Sequence, residues 1–205
     1  GCLRKSLLAT VLILSNWFFS NGVWLPVPGK QPRLAYGASV VENERRLRET
    51  KKCPGCDLRR ASLAFTHLTG ADLAGALLQD ANLRSANLSG ANLVDADLYG
   101  AKLMDTSLVR ADLRRVNLRA ADLGGANMHS IDLRGADLRH ADLRKADLRR
   151  ADLRRSDLRD TDLRDADLTD VKLGGAKVIY ADLRGVKGLS REQELDLRQR
   201  GAILH

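Results

Sequence analysis

The sequence predicts an all-β protein whose central part, residues 56–185, winds into a parallel β-helix around a leucine core. Three observations predict this fold: a five-residue period without insertions, a leucine at one fixed position of the unit, and aromatic residues that make up only 4% of the chain. A globular core usually needs aromatic and β-branched side chains to fill irregular space. A core of Leu and Ala suits a regular stack of similar units instead.

The repeat unit has the form A-(D/N)-L-x-x. From Leu58 to Leu183 every fifth residue is Leu, except Met128 and Val178, which gives 26 consecutive units. The residue two before this position is small (Ala in 18 units), and the residue between them is Asp in 14 units and Asn in five. A repeat this regular indicates a solenoid.

A period of five fits neither an α-helix nor a plain alternating strand, but it does fit a short extended stretch followed by a turn. Ala and Leu lie two residues apart, so both point inward from the extended stretch, and the Asp or Asn between them points outward. The x-x pair forms the turn, and Gly takes its second position in eight units. Stacked coils then bury leucine over leucine, and each leucine contributes about 1.5–3 kcal/mol before chain entropy is subtracted.

Runs such as ANLRSANLSGANLVDADLYGA resemble the pentapeptide-repeat family, and the resemblance covers about two thirds of the chain. It implies a right-handed quadrilateral β-helix with four pentapeptides per coil. Outward residues would then form columns to which every fourth unit contributes one member. The best-understood activity of that family is binding to DNA gyrase by mimicry of duplex DNA, which requires a strongly acidic surface.

Residues 1–22 are predicted to be a signal peptide or a membrane anchor. Arg4 and Lys5 precede an apolar run over residues 7–19, which is short for a spanning helix of about 20 residues. Cleavage before Val23 or after Gly29 is plausible, and the alternative is an uncleaved anchor over residues 7–27. The chain is therefore expected in the periplasm or an equivalent lumen, or on a membrane, and a cytoplasmic location is disfavoured.

Three further segments flank the repeats. Residues 23–38 contain three prolines and are predicted to be a linker. Residues 39–55 are predicted to be an N-terminal capping helix followed by a Cys-Pro-Gly-Cys junction. Residues 186–205 are predicted to be a C-terminal capping helix and tail, because Ser190 and Gln193 have the spacing of a capping box. The apolar residues expected to cover the exposed ends of the stack are Val40, Val41 and Leu47 at the first coil, and Leu189, Leu195, Leu197, Ile203 and Leu204 at the last.

Cys53 and Cys56 have the spacing of a redox or metal motif. No second ligand pair accompanies them, and the βαβ context of a thioredoxin is absent. Cys56 also takes the inward small-residue position of the first unit, which favours a structural role. In an oxidising compartment the two residues could form a disulfide.

Net charge is +8, but its distribution is uneven. Residues 1–55 carry nine Lys and Arg against three Glu, whereas residues 56–185 carry 21 basic against 20 acidic side chains. Within the repeats, arginines at the first turn position form columns, with Asp two residues earlier. They are a candidate interaction surface, and the alternative is a solvated surface of mixed charge. The arginines are Arg114, Arg119, Arg134, Arg139, Arg144, Arg154, Arg159, Arg164 and Arg184.

The sequence predicts no enzyme, no cofactor and no metal site. The four histidines fall at outward or tail positions without a nucleophile–base arrangement, and a filled interior leaves no pocket. The expected function is a non-enzymatic, exported or membrane-associated scaffold whose partner is another protein. One alternative is a DNA-mimicking protein that binds gyrase or topoisomerase, disfavoured by the near-neutral repeats. Another is a binder of nucleic acid or other polyanions through the arginine columns, disfavoured by the adjacent Asp residues.

Overall fold

The computed structural model describes residues 17–20, 23–26 and 36–204, with side chains from residue 39 onward. Most of the expected targeting segment, of the anchor over residues 7–27 and of the linker lies outside the described residues. Strand β1 (Trp17–Ser20) pairs antiparallel with β2 (Val23–Pro26), with Trp17 opposite Pro26. Residues 23–26, expected to be linker, therefore form a strand. None of the helices that the structure describes is long and apolar enough to cross a membrane.

Two helices flank the repeats, α1 (Tyr36–Thr50) and α2 (Arg191–Gln199). Between them the chain pairs with itself at every fourth unit. Parallel bridges join Asp57 to Leu77 and continue in the same register from Lys52 to Lys187. Around each bridge one N–H donates to the coil above and one to the coil below, as in Leu58 to the carbonyl of Leu77 (2.8 Å) and Leu77 to that of Cys56 (2.9 Å). Four five-residue units thus make one coil of a parallel β-helix.

The expectation of an all-β fold needs one refinement, because each side of a coil contributes a single bridged residue rather than an extended strand. A turn follows at once, closed by bonds such as Ala61 N–H to the carbonyl of Leu58 (3.0 Å). The second turn residue has a positive φ throughout, including large side chains such as Phe65 (58°) and Tyr180 (59°). The alternation of one bridge and one turn accounts for the five-residue period.

The interior is filled by the residues that the repeat predicts. The leucines of the stack are fully buried up to Leu168, as is Met128, and the small residues face inward between them. Four small positions hold hydroxyl groups in place of Ala, and three of these residues are fully buried. Thr106 donates to the carbonyl of Leu83 (2.9 Å), Thr161 to that of Leu138 (2.8 Å) and Ser156 to that of Leu153 (2.7 Å). These bonds satisfy the buried polar atoms, so the core tolerates them.

Helix α1 contacts the lower edge of the first coil, where backbone groups have no coil beneath them. Asn43 donates to the carbonyl of Asp57 (2.9 Å), and Glu44 accepts from the N–H of Ser62 (2.7 Å). Arg48 and Lys51 donate to the carbonyls of Ser62 and His67. Of the apolar residues expected to cover this end, Val40 and Leu47 are buried, whereas Val41 is 66% exposed and does not contribute to the core.

The chain returns to the stack after α2. Ile203 forms a parallel bridge with Asp182, donating to the carbonyl of Ala181 (2.8 Å) and accepting from Leu183 (2.7 Å). The segment expected to be a tail is thus one more side of a coil, with one residue more between the bridged partners than elsewhere in the stack. Of the apolar residues expected to cover this end, Leu197 and Leu204 are buried, Leu189 is partly buried, and Leu195 and Ile203 are 51% and 40% exposed.

Candidate interaction surface

The predicted arginines lie at turns on three of the four corners of the coil, and most are held by the Asp two residues earlier. Arg114 shows the arrangement: its Nε and Nη2 donate to Oδ1 (2.8 Å) and Oδ2 (2.7 Å) of Asp112, and its backbone N–H donates to Oδ1 (3.2 Å). Such a two-point pair fixes the plane of the guanidinium. The same pairing occurs at Arg134, Arg139, Arg144, Arg154, Arg159, Arg164 and Arg184.

Arg119 departs from this arrangement. The residue two before it is Asn117, which accepts only its backbone N–H, and the Nε of Arg119 is buried without a hydrogen-bond partner in the described structure. Arg149 pairs with Asp147 in the common geometry, although the sequence prediction omitted it. The residues one coil before and one coil after it in the same column are His129 and Thr169. The sequence therefore shows no column of arginines at this corner.

The pairs also connect successive coils, because five of the arginines lie within 4 Å of the Asp of the next coil. Arg144 Nε is 3.7 Å from Asp162 Oδ2, and Arg164 Nε is 3.8 Å from Asp182 Oδ2. Hydrogen bonds from Arg144 hold the pKa of Asp142 below its ordinary value, against the opposite effect of partial burial. The result is a fixed surface lattice in which most charges already have a partner.

One corner of the β-helix differs from the others. It carries an open groove of about 760 Å³, which we call the Arg/Gly groove. The first turn positions supply Arg114, Arg134, Arg154 and Gly174, and the second supply Arg115, Gly135, Arg155 and Gly175. The sequence prediction missed Arg115 and Arg155, although they alternate with glycine from coil to coil along this column.

The side-chain stems of Arg115 and Arg155 contact the glycines of the next coil. A Cβ at Gly135 would be 3.6 Å from Cγ of Arg115, and a Cβ at Gly175 would be 3.6 Å from Cγ of Arg155. Arg115 pairs with Asp95 through Nε and Nη2, both at 2.7 Å. Arg155 forms no ion pair with any residue that the structure describes. It is therefore the unneutralised charge of this corner.

Another corner carries a groove of about 410 Å³ with a mixed lining. Asp105, Asp142 and Asp165 line it together with Arg144 and Arg164. Anions and cations would both meet like charge there, so this groove has no clear preference for either.

The two cysteines form a disulfide, with Sγ atoms 2.02 Å apart, at the junction between α1 and the first coil. Cys53 is fully buried at a leucine position of the stack and Cys56 is 7% exposed at a small-residue position. The repeat therefore begins one unit earlier than the sequence prediction. The part of the chain that the structure describes contains no group of three or more His, Cys, Asp or Glu placed to hold a metal ion.

A solenoid of five-residue units, with four units per coil and a leucine interior, places the chain in the class of parallel β-helix proteins. The pentapeptide repeat profile matches eight copies, at residues 56–93, 91–129, 111–150 and 131–170. This match covers more than half of the chain, and the chain belongs to the pentapeptide repeat family.

Solved structures of that family are similar to this chain. HetL, a pentapeptide repeat protein involved in heterocyst differentiation regulation from the cyanobacterium Nostoc sp. strain PCC 7120, is 35% identical with a TM-score of 0.61, over 66% of this chain and 65% of HetL. A pentapeptide repeat protein of the Arabidopsis thaliana thylakoid lumen is 31% identical, with a TM-score of 0.49, over 52% of this chain and 74% of that protein. QnrB1, a plasmid-mediated fluoroquinolone resistance protein, is 20% identical with a TM-score of 0.44, over 75% of this chain and 89% of QnrB1. No protein of curated function matches the chain.

The match to HetL spans slightly less than two thirds of that protein. The similarity to HetL and the membership of the family together imply that the coil is right-handed. The fold is therefore a right-handed β-helix.

Proposed function

We propose that this chain is a non-enzymatic interaction module that binds another protein through the outer surface of its β-helix. The filled interior supports this proposal: the inward leucines are fully buried from Leu58 to Leu168, and the ligand-sized grooves of the described structure are open at its surface. A fixed lattice of paired charges on a rigid support suits recognition of a partner, because the side chains are oriented before binding.

Catalysis has less support from the arrangement of side chains. General acid–base chemistry needs a base within about 3 Å of the group it serves. His67 lies at a bridge position, while His129 and His140 lie at turns of two different corners, so the three do not converge. The closely paired carboxylates and guanidiniums are repeat features that recur at most coils, and a recurrent pair does not define one reaction centre.

Helices α1 and α2 are proposed to cap the two ends of the stack. An uncapped solenoid exposes unpaired backbone groups and an apolar core, which favours association with further chains. The side chains of Asn43, Glu44 and Arg48 bond to backbone groups of the first coil, and Leu197 of α2 is buried against the last.

The chain is proposed to be exported or attached to a membrane. The basic pair Arg4 and Lys5 and the apolar residues 7–19 support this proposal, and a Cys53–Cys56 disulfide is stable mainly in oxidising compartments. Mass spectrometry of the N-terminus after cell fractionation tests it. An intact N-terminal segment in the soluble cytoplasmic fraction, with both thiols open to alkylation, would contradict the proposal.

The alternative of DNA mimicry for gyrase or topoisomerase binding has weaker support. A mimic of duplex DNA needs a dense excess of negative charge. Residues 56–185 carry 20 acidic against 21 basic side chains, and most of the acidic groups on the described surface are already paired with arginine.

The interaction function can be tested by site-specific photo-crosslinking of the full chain. A photoreactive residue is placed at one exposed turn on each corner, replacing Arg110, Ala120, Lys145 or Arg155. The expected result is an adduct with one dominant protein from at least one corner, suppressed by excess unlabelled chain. If none of the four corners yields such an adduct in the native extract, the interaction function is wrong.

A further inference from the structure

We propose that the Arg/Gly groove binds an acidic peptide segment by means of its Asp or Glu carboxylates. This inference rests on the proposed interaction function and assigns the chemistry of the partner. The groove stands out because no acidic residue lines it, whereas three aspartates line the mixed groove on another corner. An approaching anion meets guanidinium groups and glycine backbone first, because the aspartates that pair with the arginines lie outside the groove lining.

The guanidiniums are oriented for a second oxyanion. Arg134 uses Nε and one Nη2 hydrogen for Asp132, and Arg154 does the same with Asp152. A guanidinium has five N–H donors, so the Nη1 group and the second Nη2 hydrogen stay available. These donors lie on the edge away from the Asp, and two parallel N–H groups match the two oxygens of a carboxylate. The Asp therefore fixes the arginine without blocking its outer edge.

The glycines supply room for a peptide backbone. Glycine takes the place of arginine at three lining positions. Arginine stems of the preceding coil lie within 4 Å of where a Cβ would stand at Gly135, Gly174 and Gly175, and the groove stays open beside these stems. The two coils from Arg114 to Arg154 span about 10 Å at the ~4.8 Å spacing of stacked strands, which corresponds to about three residues of extended peptide. Carboxylates on alternate residues of an extended peptide would be about 6.7 Å apart, whereas arginines on successive coils are ~4.8 Å apart. The length of a Glu side chain accommodates this difference.

Charge favours a peptide over a nucleic acid or another polyanion. Four of the five groove arginines are paired with Asp95, Asp112, Asp132 or Asp152, so the long-range field of the corner comes mainly from Arg155. Polyanion binding draws its affinity from many unpaired cations that displace counterions. The groove lining also has no aromatic side chain on which bases could stack. Short-range, two-point bonds to a few carboxylates remain as the matching chemistry.

The test uses the full chain and a fluorescent dodecapeptide of alternating Glu and Ser, with a peptide of alternating Gln and Ser as the control. Fluorescence anisotropy at 0.15 M salt is expected to show saturable binding of the Glu peptide alone. The variant Arg134→Gln/Arg154→Gln is expected to lose at least tenfold in affinity. The matched variant Arg139→Gln/Arg159→Gln changes net charge equally on a different corner and is expected to lose less than twofold.

A second variant fills the groove without removing an arginine. Gly135→Asp introduces a carboxylate at a left-handed position that Asp adopts at residue 95 of the same column, and its Cβ meets only ordinary contacts. It is expected to weaken peptide binding at least fivefold while the thermal unfolding midpoint stays within a few degrees. Unchanged binding by this variant would overturn the proposal.

The other outcomes are equally decisive. Equal losses in the two arginine double variants would mean that net charge, not the groove, attracts the peptide. Displacement of the peptide by lower concentrations of polyphosphate or duplex DNA than of unlabelled peptide would reject the peptide assignment. If the peptide does not bind but photo-crosslinking still captures a protein, the groove assignment is wrong and the interaction function stands.

Discussion

At the scale of single residues, burial alternates so sharply along each unit that adjacent leucines have different roles. Leu78 occupies the inward position and is fully buried, whereas Leu77 occupies the outward bridge position and is partly exposed. The two lie in the same unit and share the same chemistry. A comparison of substitutions at these two positions therefore separates the effect of burial in the core from the effect of removing a leucine.

Leu78→Ala is expected to lower the free energy of unfolding by about 2–5 kcal/mol, because it removes buried methyl groups and leaves a cavity. Leu77→Ala is expected to cost about 1 kcal/mol, because its side chain lies outside the core, is only partly buried and leaves no enclosed cavity. Urea denaturation followed by circular dichroism measures both. Equal costs would show that the inward phase of the repeat is wrong.

Backbone conformation gives a second test at the residue scale. Gly90 has a φ of +66° with open space where a Cβ would lie, whereas Gly124 has no positive φ, and a Cβ there would meet nothing closer than 3.4 Å. Gly90→Ala is expected to destabilise by about 1 kcal/mol, because L-residues are strained in this region. Gly124→Ala is expected to be neutral or to stabilise by up to about 1 kcal/mol. The thermal unfolding midpoint should therefore fall in Gly90→Ala and should stay unchanged or rise in Gly124→Ala.

At the scale of elements, the Asp/Arg columns make stability depend on pH. Hydrogen bonds from arginine hold the pKa values of Asp142 and Asp162 below the ordinary value of 3.8. A carboxyl group with a lowered pKa in the folded state contributes stability above its unfolded pKa, and that contribution is lost as pH falls through the folded pKa. The urea midpoint should therefore hold steady from pH 7 to about 5 and fall below about 4.

Arg144→Gln/Arg164→Gln and Asp142→Asn/Asp162→Asn should both reduce the fall in the urea midpoint, the first by returning the two pKa values towards normal and the second by removing the groups. Urea is suitable because a salt denaturant would screen the pairs. If both double variants show the same dependence of the urea midpoint on pH as the wild type, the Asp/Arg pairs do not contribute to the pH dependence of stability.

The last side of the coil gives the next prediction at this scale. Leu183 N–H donates to the carbonyl of Ile203 (2.7 Å), so removal of residues 202–205 leaves that donor without its partner. Hydrogen exchange at Leu183 is expected to accelerate at least tenfold in the truncated chain, while Leu118 in mid-stack stays protected. Ile203→Ala keeps the backbone bonds and serves as the control. Unchanged exchange at Leu183 after truncation would contradict the added coil side.

The elements also show what sequence can predict. The period, the inward phase and the core follow from the spacing of Leu and Ala alone, because each unit repeats one bridge and one turn. The first unit escaped prediction because Cys53 stands at its leucine position, and the segment ending at Leu204 escaped because α2 separates it from the repeat and adds one residue to its register. The Arg/Gly groove combines both turn positions of one corner, whereas the sequence prediction followed only the first turn position, where the arginines form columns.

At the scale of the whole β-helix, each coil contacts only the coils above and below it. Stability is then close to a sum of coil and interface contributions, and a lesion acts on its neighbours before it acts on distant coils. Leu118 lies near the middle of the stack and is fully buried, while Arg119 beside it is partly exposed at a turn outside the core. One buried charge at this point should divide the stack into two parts.

Leu118→Lys is therefore expected to replace a single cooperative unfolding transition by two transitions or by a broad one, because burying an unpaired ammonium group is costly. Calorimetry measures the change, and hydrogen exchange should show protection lost first around residue 118 and at the positions stacked directly above and below it. Leu63→Lys, near one end, should instead leave the coils above residue 98 protected. Arg119→Ala is the surface control and should shift the midpoint by no more than about 2 °C. A single wild-type-like transition in Leu118→Lys would contradict the coil-by-coil account of stability.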